Sequence, residues 1–310
     1  MDIKTVALIG AGSIGSYVIW GLSGIPGISL KVIARGERAQ RLKKDGLVIN
    51  GESYRLDVAS PEEVRGADLI IVSVKYGALS GIITDIEIMT DAHTTILSLM
   101  NGVDSEELIA ERVGKDKLLY SIIRMAARRE GNRITFRPPT GNAGIIFGDG
   151  IEPYDKERVD SVAALFADSR LCWHVSEHIM EDIWSKFALN VSENIPQAIV
   201  GCGFGAYFTS AYMEDMRTKL REEVFAVARA KGISVPMKGS VSARGKMSAD
   251  NVRFSTLQDL DAKRPTEIDM LCGKVMRLGE QTGVPVPYNT LCYDIIKAME
   301  EKNAGYFAFD

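Results

Sequence analysis

The stretch Lys4-Thr-Val-Ala-Leu-Ile-Gly10-Ala-Gly12-Ser-Ile-Gly15, running on into Ser16 to Leu22, decides how this chain is read. A short apolar run rich in β-formers meets a glycine turn, and a helix-compatible segment follows at once. In a strand–turn–helix of this spacing the first glycine permits a tight turn, the second lets backbone approach a pyrophosphate, and the third allows helix to pack closely on strand. The phosphate then sits on the helix N-terminus, where unpaired N–H groups and the helix dipole favour an anion. Gly10, Gly12, Ser13, Ile14 and Gly15 are therefore the expected dinucleotide cradle. Glycine turns also occur without a ligand, so the flanking strand and helix carry the reading.

Working outward, Ser29-Leu-Lys-Val-Ile-Ala34 reads as a second strand. Its end, about 20 residues past the fingerprint, is where an acidic side chain holds the ribose hydroxyls of NAD. Arg35 stands there instead. A guanidinium suits a 2′-phosphate through charge-assisted, bidentate contacts, which makes NADPH rather than NADH the expected cofactor. Arg35 is equally compatible with an exposed helix start, and Glu37 nearby weakens the electrostatic case; Arg38 and Arg41 read as phosphate helpers or as surface charge.

A hairpin over Leu47 to Val58, turning at Asn50-Gly51, precedes Asp68 to Val74, an almost wholly apolar run as expected of a strand buried on both faces. That run ends at Lys75, and the next strand, Thr94 to Leu99, ends near Asn101-Gly102. Carboxyl ends of strands line the ligand crevice of an open α/β sheet, so Lys75 and Asn101 are candidate site residues. Asn-Gly is also a common turn pair. Three more strands, Ser121 to Ala126, Arg133 to Arg137 and Ala143 to Phe147, read as antiparallel additions to a parallel sheet. A helix from Asp155 to Ala167 and a strand from Cys172 to Val175 follow.

From about Ile179 strand signals give way to helical periodicity, which divides the chain into residues 1–178 and 179–310. The expected fold is α/β: a Rossmann-type doubly wound sheet with antiparallel additions, then an all-helical domain with helices near 180–198, 210–231, 264–282 and 288–302. In the first of these helices Lys186, Asn190 and Asn194 recur every four residues, which puts them on one face about 6 Å apart per step. One ammonium and two carboxamides facing one way can bind a small anionic or carbonyl-bearing ligand; the same stripe also suits the solvated side of an amphipathic helix. Gly201-Cys-Gly-Phe-Gly205 follows a helix rather than a strand and reads as an interhelical turn. Pro265 suits a helix's first turn, with Glu267 near the positive end of its dipole.

Composition narrows the partners. With 310 residues, 46% hydrophobic and 25% charged, the chain is of ordinary globular type, and a net charge of -4 without a Lys/Arg block argues against nucleic acid. The four cysteines lack C-x-x-C spacing, so neither a disulfide framework nor a metal site is expected. No apolar stretch reaches bilayer length, and the first residues enter a strand-like run without a signal-type leader, so no membrane partner and a cytoplasmic location are expected.

The ordered set Gly10-x-Gly12-x-x-Gly15, Arg35, Lys75, Asn101-Gly102, Lys186 with Asn190 and Asn194, and Ser255-x-Leu-Gln-Asp259 before Arg264-x-Thr266-Glu267-Ile-Asp269 resembles the ketopantoate reductase (2-dehydropantoate 2-reductase) family over almost the whole chain. The resemblance implies NADPH-dependent reduction of a 2-oxo acid, ketopantoate to pantoate in the namesake, with the active site between a Rossmann domain and a helical one. It implies Lys186 as general acid, Glu267 as the carboxylate that holds the substrate hydroxyl and orients Lys186, and Asn190, Asn194 and Ser255 as substrate ligands. Asn101 and Lys75 would line the junction of nicotinamide and substrate, while Gly10, Gly12, Gly15 and Arg35 would hold the cofactor.

The chain departs from the family pattern at Phe254-Ser255-Thr256, Ala262-Lys263-Arg264, Cys272-Gly273 and Met125-Ala126-Ala127, which touches substrate identity more than the proton donor. Reduction of another 2-oxo acid, a dehydrogenase using His174 or His178 as acid, and a non-catalytic NADP-binding regulator stay open as alternatives. Apolar faces on the helical domain make a homodimer an expectation.

Overall fold

The computed structural model describes residues 2–150, 154–236 and 252–307, and the chain divides into two compact units, Met1–Met180 and Glu181–Asp310. In the first unit β1 (Thr5–Ile9) runs into α1 (Ser13–Leu22), then β2 (Ser29–Ile33), α2 (Gly36–Asp45), the hairpin β3 (Leu47–Ile49) and β4 (Glu52–Tyr54), and β5 (Val58–Ala59). After these come β6 (Leu69–Val72), α3 (Ile83–Met89), β7 (Thr95–Ser98), α4 (Ser105–Val113), β8 (Leu118–Arg124), β9 (Ala127–Glu130), β10 (Arg133–Phe136), β11 (Gly144–Gly148), α5 (Lys156–Ala167) and β12 (Trp173–Val175).

The main sheet has eight strands in the order β12-β11-β8-β7-β6-β1-β2-β5. All neighbours run parallel except β8 and β11. Alternation of side chains explains why helices must cover both faces: Val6 and Leu8 of β1 enter one core and Ala7 and Ile9 the other, and β6 divides the same way. Because β2 and β6 lie on opposite sides of β1, the order of connection reverses there, and the carboxyl end of β1 is the crevice of a doubly wound sheet.

The glycine turn is fixed by close approach. Gly10 has φ +102, and a methyl group there would stand 2.6 Å from the carbonyl oxygen of Ser73, while one on Gly15 would stand 1.8 Å from that of Gly10. Ser73 Oγ donates to that same Gly10 oxygen at 2.7 Å, locking the loop after β6 to the turn. Asn50 and Gly51 both have positive φ, 50 and 88, as a two-residue hairpin requires.

One expectation needs correcting. Of the three strands read as antiparallel additions, the last joins the main sheet as β11 and the first as β8, but β10 belongs to a separate four-stranded sheet, β4-β3-β10-β9. The reason is packing: Ile134 and Phe136 are buried while Arg133 and Thr135 are exposed, and the Phe136 ring meets Tyr17 and Trp20 of α1 edge-on at 5.5 and 5.6 Å. A strand with one apolar face pairs where that face is covered.

The second unit is helical: α6 (Ile179–Val200), α7 (Ala206–Thr209), α8 (Ala211–Ala230), α9 (Ser255–Asp261), α10 (Cys272–Thr282) and α11 (Pro287–Asn303), with α8, α10 and α11 packed together. Helix α10 begins at Cys272, so Pro265 and Glu267 lie in the irregular segment before it and not in a first helical turn. Lys263 there has φ 51, and both the amide and the hydroxyl of Thr266 donate to Glu300 Oε1 at 2.6 Å, which holds the segment in a non-helical path. The buried carboxylate of Glu223 accepts from the amides of Tyr288 and Asn289, both at 2.9 Å, and so caps α11.

Pro196 sits inside α6, where it removes one donor from the helical ladder. The break is bridged by another helix: the buried hydroxyl of Tyr207 accepts from Gln197 N at 3.1 Å and donates to Glu193 O at 2.5 Å, satisfying both groups beside the proline.

Two outcomes follow from these contacts. Gly15→Ala forces backbone apart and costs about 2 kcal/mol, seen as a lower thermal midpoint, whereas Gly12→Ala, whose added carbon meets nothing nearer than Arg129 Nη1 at 3.8 Å, leaves the midpoint close to that of the parent. Tyr207→Phe orphans a buried amide and a buried carbonyl, for a loss of about 1–3 kcal/mol in denaturant unfolding.

Candidate functional site

The glycine turn of the first unit leads into a helix start without a side-chain cap. Gly12 is the N-cap of α1, with no side chain capping the helix and no acidic residue in its first turn, so the positive end of the helix is left for a ligand. A cation stands over it that sequence reading missed: Arg129, on β9, donates from Nη1 to Ala11 O at 3.2 Å and from Nε to Gly131 O at 2.9 Å. Burial lowers its pKa, and the like charges of Arg38 and Arg41 lower it further. Among the described residues no carboxylate pairs with Arg129. A guanidinium beside an uncapped helix start, with open space at Gly12, is an arrangement that can hold a phosphate group. In the sequence Arg128-Arg129 fell between strands and gave no signal; only the second sheet carries it to the turn.

Arg35 is the N-cap residue of α2, immediately beyond the carboxyl end of β2, and is half-exposed. It pairs with Glu62 at 2.6 Å and Asp85 at 2.9 Å, and these two hydrogen-bonded carboxylates raise its pKa.

The loops after β6 and β7 are tied together. Lys75 precedes the short turn Tyr76–Ala78, and Tyr76 Oη donates to Asp104 Oδ2 at 2.9 Å, three residues beyond Asn101. The two segments carrying the expected nicotinamide-side residues are thus braced against each other. Behind them Ser105 Oγ donates to Glu106 Oε2 at 2.7 Å and lies 2.8 Å from Ser98 Oγ, and Ser121 Oγ donates to the Ser98 carbonyl. Glu106 is wholly enclosed; burial pushes its carboxyl up to about 7, against the lowering effect of the Ser105 hydroxyl.

In the second unit α6 carries Lys186 and Asn190 half-buried and Asn194 buried. Asn194 Nδ2 lies 3.5 Å from Oγ of Ser255, the first residue of α9, so the carboxamide stripe and the serine meet. Gln197 extends that stripe and was not singled out from sequence. Its side chain accepts from Phe254 N at 2.6 Å and donates to Val252 O at 2.9 Å, clamping the backbone just before Ser255. The signal in the sequence is the continued i, i+3 spacing from Asn194.

Glu267 lies in the turn leading to α10, its carbonyl accepting from Met270 N and Leu271 N at 3.1 and 3.0 Å. Arg264 bonds Asp259 across the same turn at 2.8 Å. His174 is on β12, its Nε2 2.5 Å from the Gly141 carbonyl, and His178 precedes α6; the serine–carboxamide contact includes neither. Among the described residues no cluster of His, Cys, Asp or Glu could hold a metal ion, and no helix is long and apolar enough to cross a membrane.

Comparison with known proteins decides the family. The model described as "Ketopantoate reductase PanE/ApbA" matches residues 6–150, and its "C terminal" counterpart matches residues 178–300. The chain belongs to the ketopantoate reductase family. A 2-dehydropantoate 2-reductase of Pyrococcus horikoshii is 28% identical over 97% of this chain and 99% of its own length. The crystal structure of a PanE/ApbA family ketopantoate reductase from Ralstonia eutropha superposes with a TM-score of 0.81 at 25% identity, covering 97% of this chain and 99% of that one. A D-mandelate dehydrogenase solved with NADH and anilino(oxo)acetate shares the fold, with a TM-score of 0.84 at 23% identity and coverage of 97% and 99%. The chain is therefore an NADP-dependent oxidoreductase of α/β fold, and the resemblance read from its motifs holds at the level of the family.

Glu106 gives this site a pH signature. Its folded pKa of about 7 lies above the ordinary 4.5, so the folded state holds the proton more tightly; the associated stability is complete below pH 4.5 and is lost as pH rises to 7, on the order of 3 kcal/mol in all. Glu106→Gln, which keeps the shape and carries no charge, raises the thermal midpoint at pH 8 more than at pH 5; an equal shift at both would show that Glu106 does not carry the slope.

Proposed function

We propose that the chain reduces a 2-oxo acid to its 2-hydroxy acid with NADPH, and that the acid is 2-dehydropantoate, giving pantoate for pantothenate synthesis. The observation that carries the reading is the meeting of Asn194 with Ser255 on the helix face that also bears Lys186 and Asn190. Polar groups gathered half-buried on one face suit a small carboxylate better than bulk water does.

NADPH, when bound, supplies the hydride. Hydride addition to a ketone leaves charge on its oxygen, and the Lys186 ammonium both stabilises that charge and delivers the proton. Glu267 holds the substrate hydroxyl and orients Lys186; Asn190, Asn194 and Ser255 hold the rest of the acid, with Gln197 fixing the position of Ser255. Asn101 and Lys75 line the nicotinamide side. Backbone amides of the Gly10, Gly12, Ser13, Ile14 and Gly15 turn hold the pyrophosphate with Arg129, and Arg35 takes the 2′-phosphate. In this reading residues 1–178 serve the cofactor and residues 179–310 the substrate.

Exposed Phe208 and Tyr212, 45% and 84% accessible, support a homodimer through the helical unit. Four free cysteines suit the reducing cytoplasm.

A panel of 2-oxo acids followed by NADPH oxidation tests the substrate: 2-dehydropantoate is expected to give the highest kcat/KM, above pyruvate, 2-oxoisovalerate and phenylglyoxylate. Lys186→Ala is expected to lower kcat by roughly 10²–10⁴ while NADPH affinity stays near that of the parent. Full activity in that variant would sink the mechanism, and a clear preference for another acid would replace the substrate.

A further inference from the structure

Arg35 does not meet the cofactor as a bare cation. Its Nη2 donates to Glu62 Oε1 at 2.6 Å and its Nε to Asp85 Oδ1 at 2.9 Å, so two carboxylates engage one guanidinium. They come from different elements. Glu62 sits on the 3₁₀ turn Pro61–Val64 after β5, and Asp85 in the first turn of α3. The turn that presents Glu62 is held without it, because Ser60 and the neighbouring Glu63 form a reciprocal capping box. Among the described residues neither Glu62 nor Asp85 pairs with a second cation, although Glu62 also accepts from the Ser60 side chain.

The charge balance at this point is one cation against two anions. A 2′-phosphate arriving there carries close to two negative charges of its own. It finds the Nε–H and one Nη2–H of the guanidinium already taken, with the Nη1 edge left over from five donors. A ribose 2′-hydroxyl has the opposite preference, since a carboxylate at this position is the acceptor that NAD sites use.

We propose that Glu62 and Asp85 are specificity-determining residues at the ribose 2′ position: by clasping Arg35 they hold the preference for NADPH over NADH well below what Arg35 alone would give, so that the chain accepts both nucleotides. The proposal rests on the cofactor reading above, with Arg35 at the 2′-phosphate. All three side chains are part-exposed, so each charge acts through solvent and its removal is worth about fivefold in relative affinity, the scale of a surface charge pair.

The test is calorimetric titration of the full-length protein with NADPH and with NADH, alongside Glu62→Gln, Asp85→Asn, the double variant, and the double variant carrying Arg35→Ala. Thermal melts check that each is folded. The NADH-to-NADPH ratio of Kd is expected to rise about fivefold in each single variant and further in the double, and to fall back when Arg35 is removed. The gain is expected to shrink in high salt. A ratio that is unchanged, or that falls because the carboxylates position Arg35 for the phosphate, overturns the clasp while leaving the cofactor reading intact. Failure of the parent protein to bind either nucleotide overturns both.

Discussion

The first unit depends on one close approach: Gly15 of α1 against the carbonyl of Gly10 at the end of β1, with no room for even a methyl group between them. That contact sets how steeply the helix leaves the strand. It brings the helix N-terminus over the carboxyl edge of the sheet, where amides unsatisfied within the helix face outward. The Ser73 hydroxyl, bonding the same Gly10 carbonyl, fastens the next strand's loop to this geometry. The loop that carries Lys75 therefore takes its place from the glycine turn, and through Tyr76 and Asp104 so does the loop that carries Asn101.

Around this point the electrostatics are uneven. Beside Gly12, Arg129 bonds only backbone carbonyls among the described residues and feels the repulsion of Arg38 and Arg41. At the end of β2 the reverse holds, and Arg35 is over-compensated by Glu62 and Asp85. A pyrophosphate is required by any form of the cofactor and a 2′-phosphate only by one. The cationic excess thus lies beside Gly12, and the anionic excess at Arg35.

The second unit achieves its polar face by a different device. A proline inside α6 interrupts the helical ladder two residues past Asn194, and the Tyr207 hydroxyl bridges the interruption. Gln197, one residue past the proline, then spends its side chain on the backbone before Ser255 and so fixes the serine relative to Asn194. A helix break thus lies where α6 is held to the start of α9.

Much of this was legible in the chain alone. The strand–glycine–helix order, the both-face apolar runs of β6 and β7, the period of Lys186, Asn190 and Asn194, and Arg35 at the strand end are local patterns, and local sterics and periodicity are written in sequence. They gave the α/β class, the change to helix near residue 179 and the family resemblance. What only tertiary structure decided depends on partners distant in sequence. Strand β10 left the main sheet because α1 offered its aromatic face, α10 started at Cys272 because Glu300 took the Thr266 donors, and Arg129 reached the glycine turn across 118 residues of chain. The carboxylates on Arg35 lie 27 and 50 residues away from it. Sequence spacing reports which residues share a helix face or a strand end, whereas charge balance at a site is a sum over whatever the fold brings there.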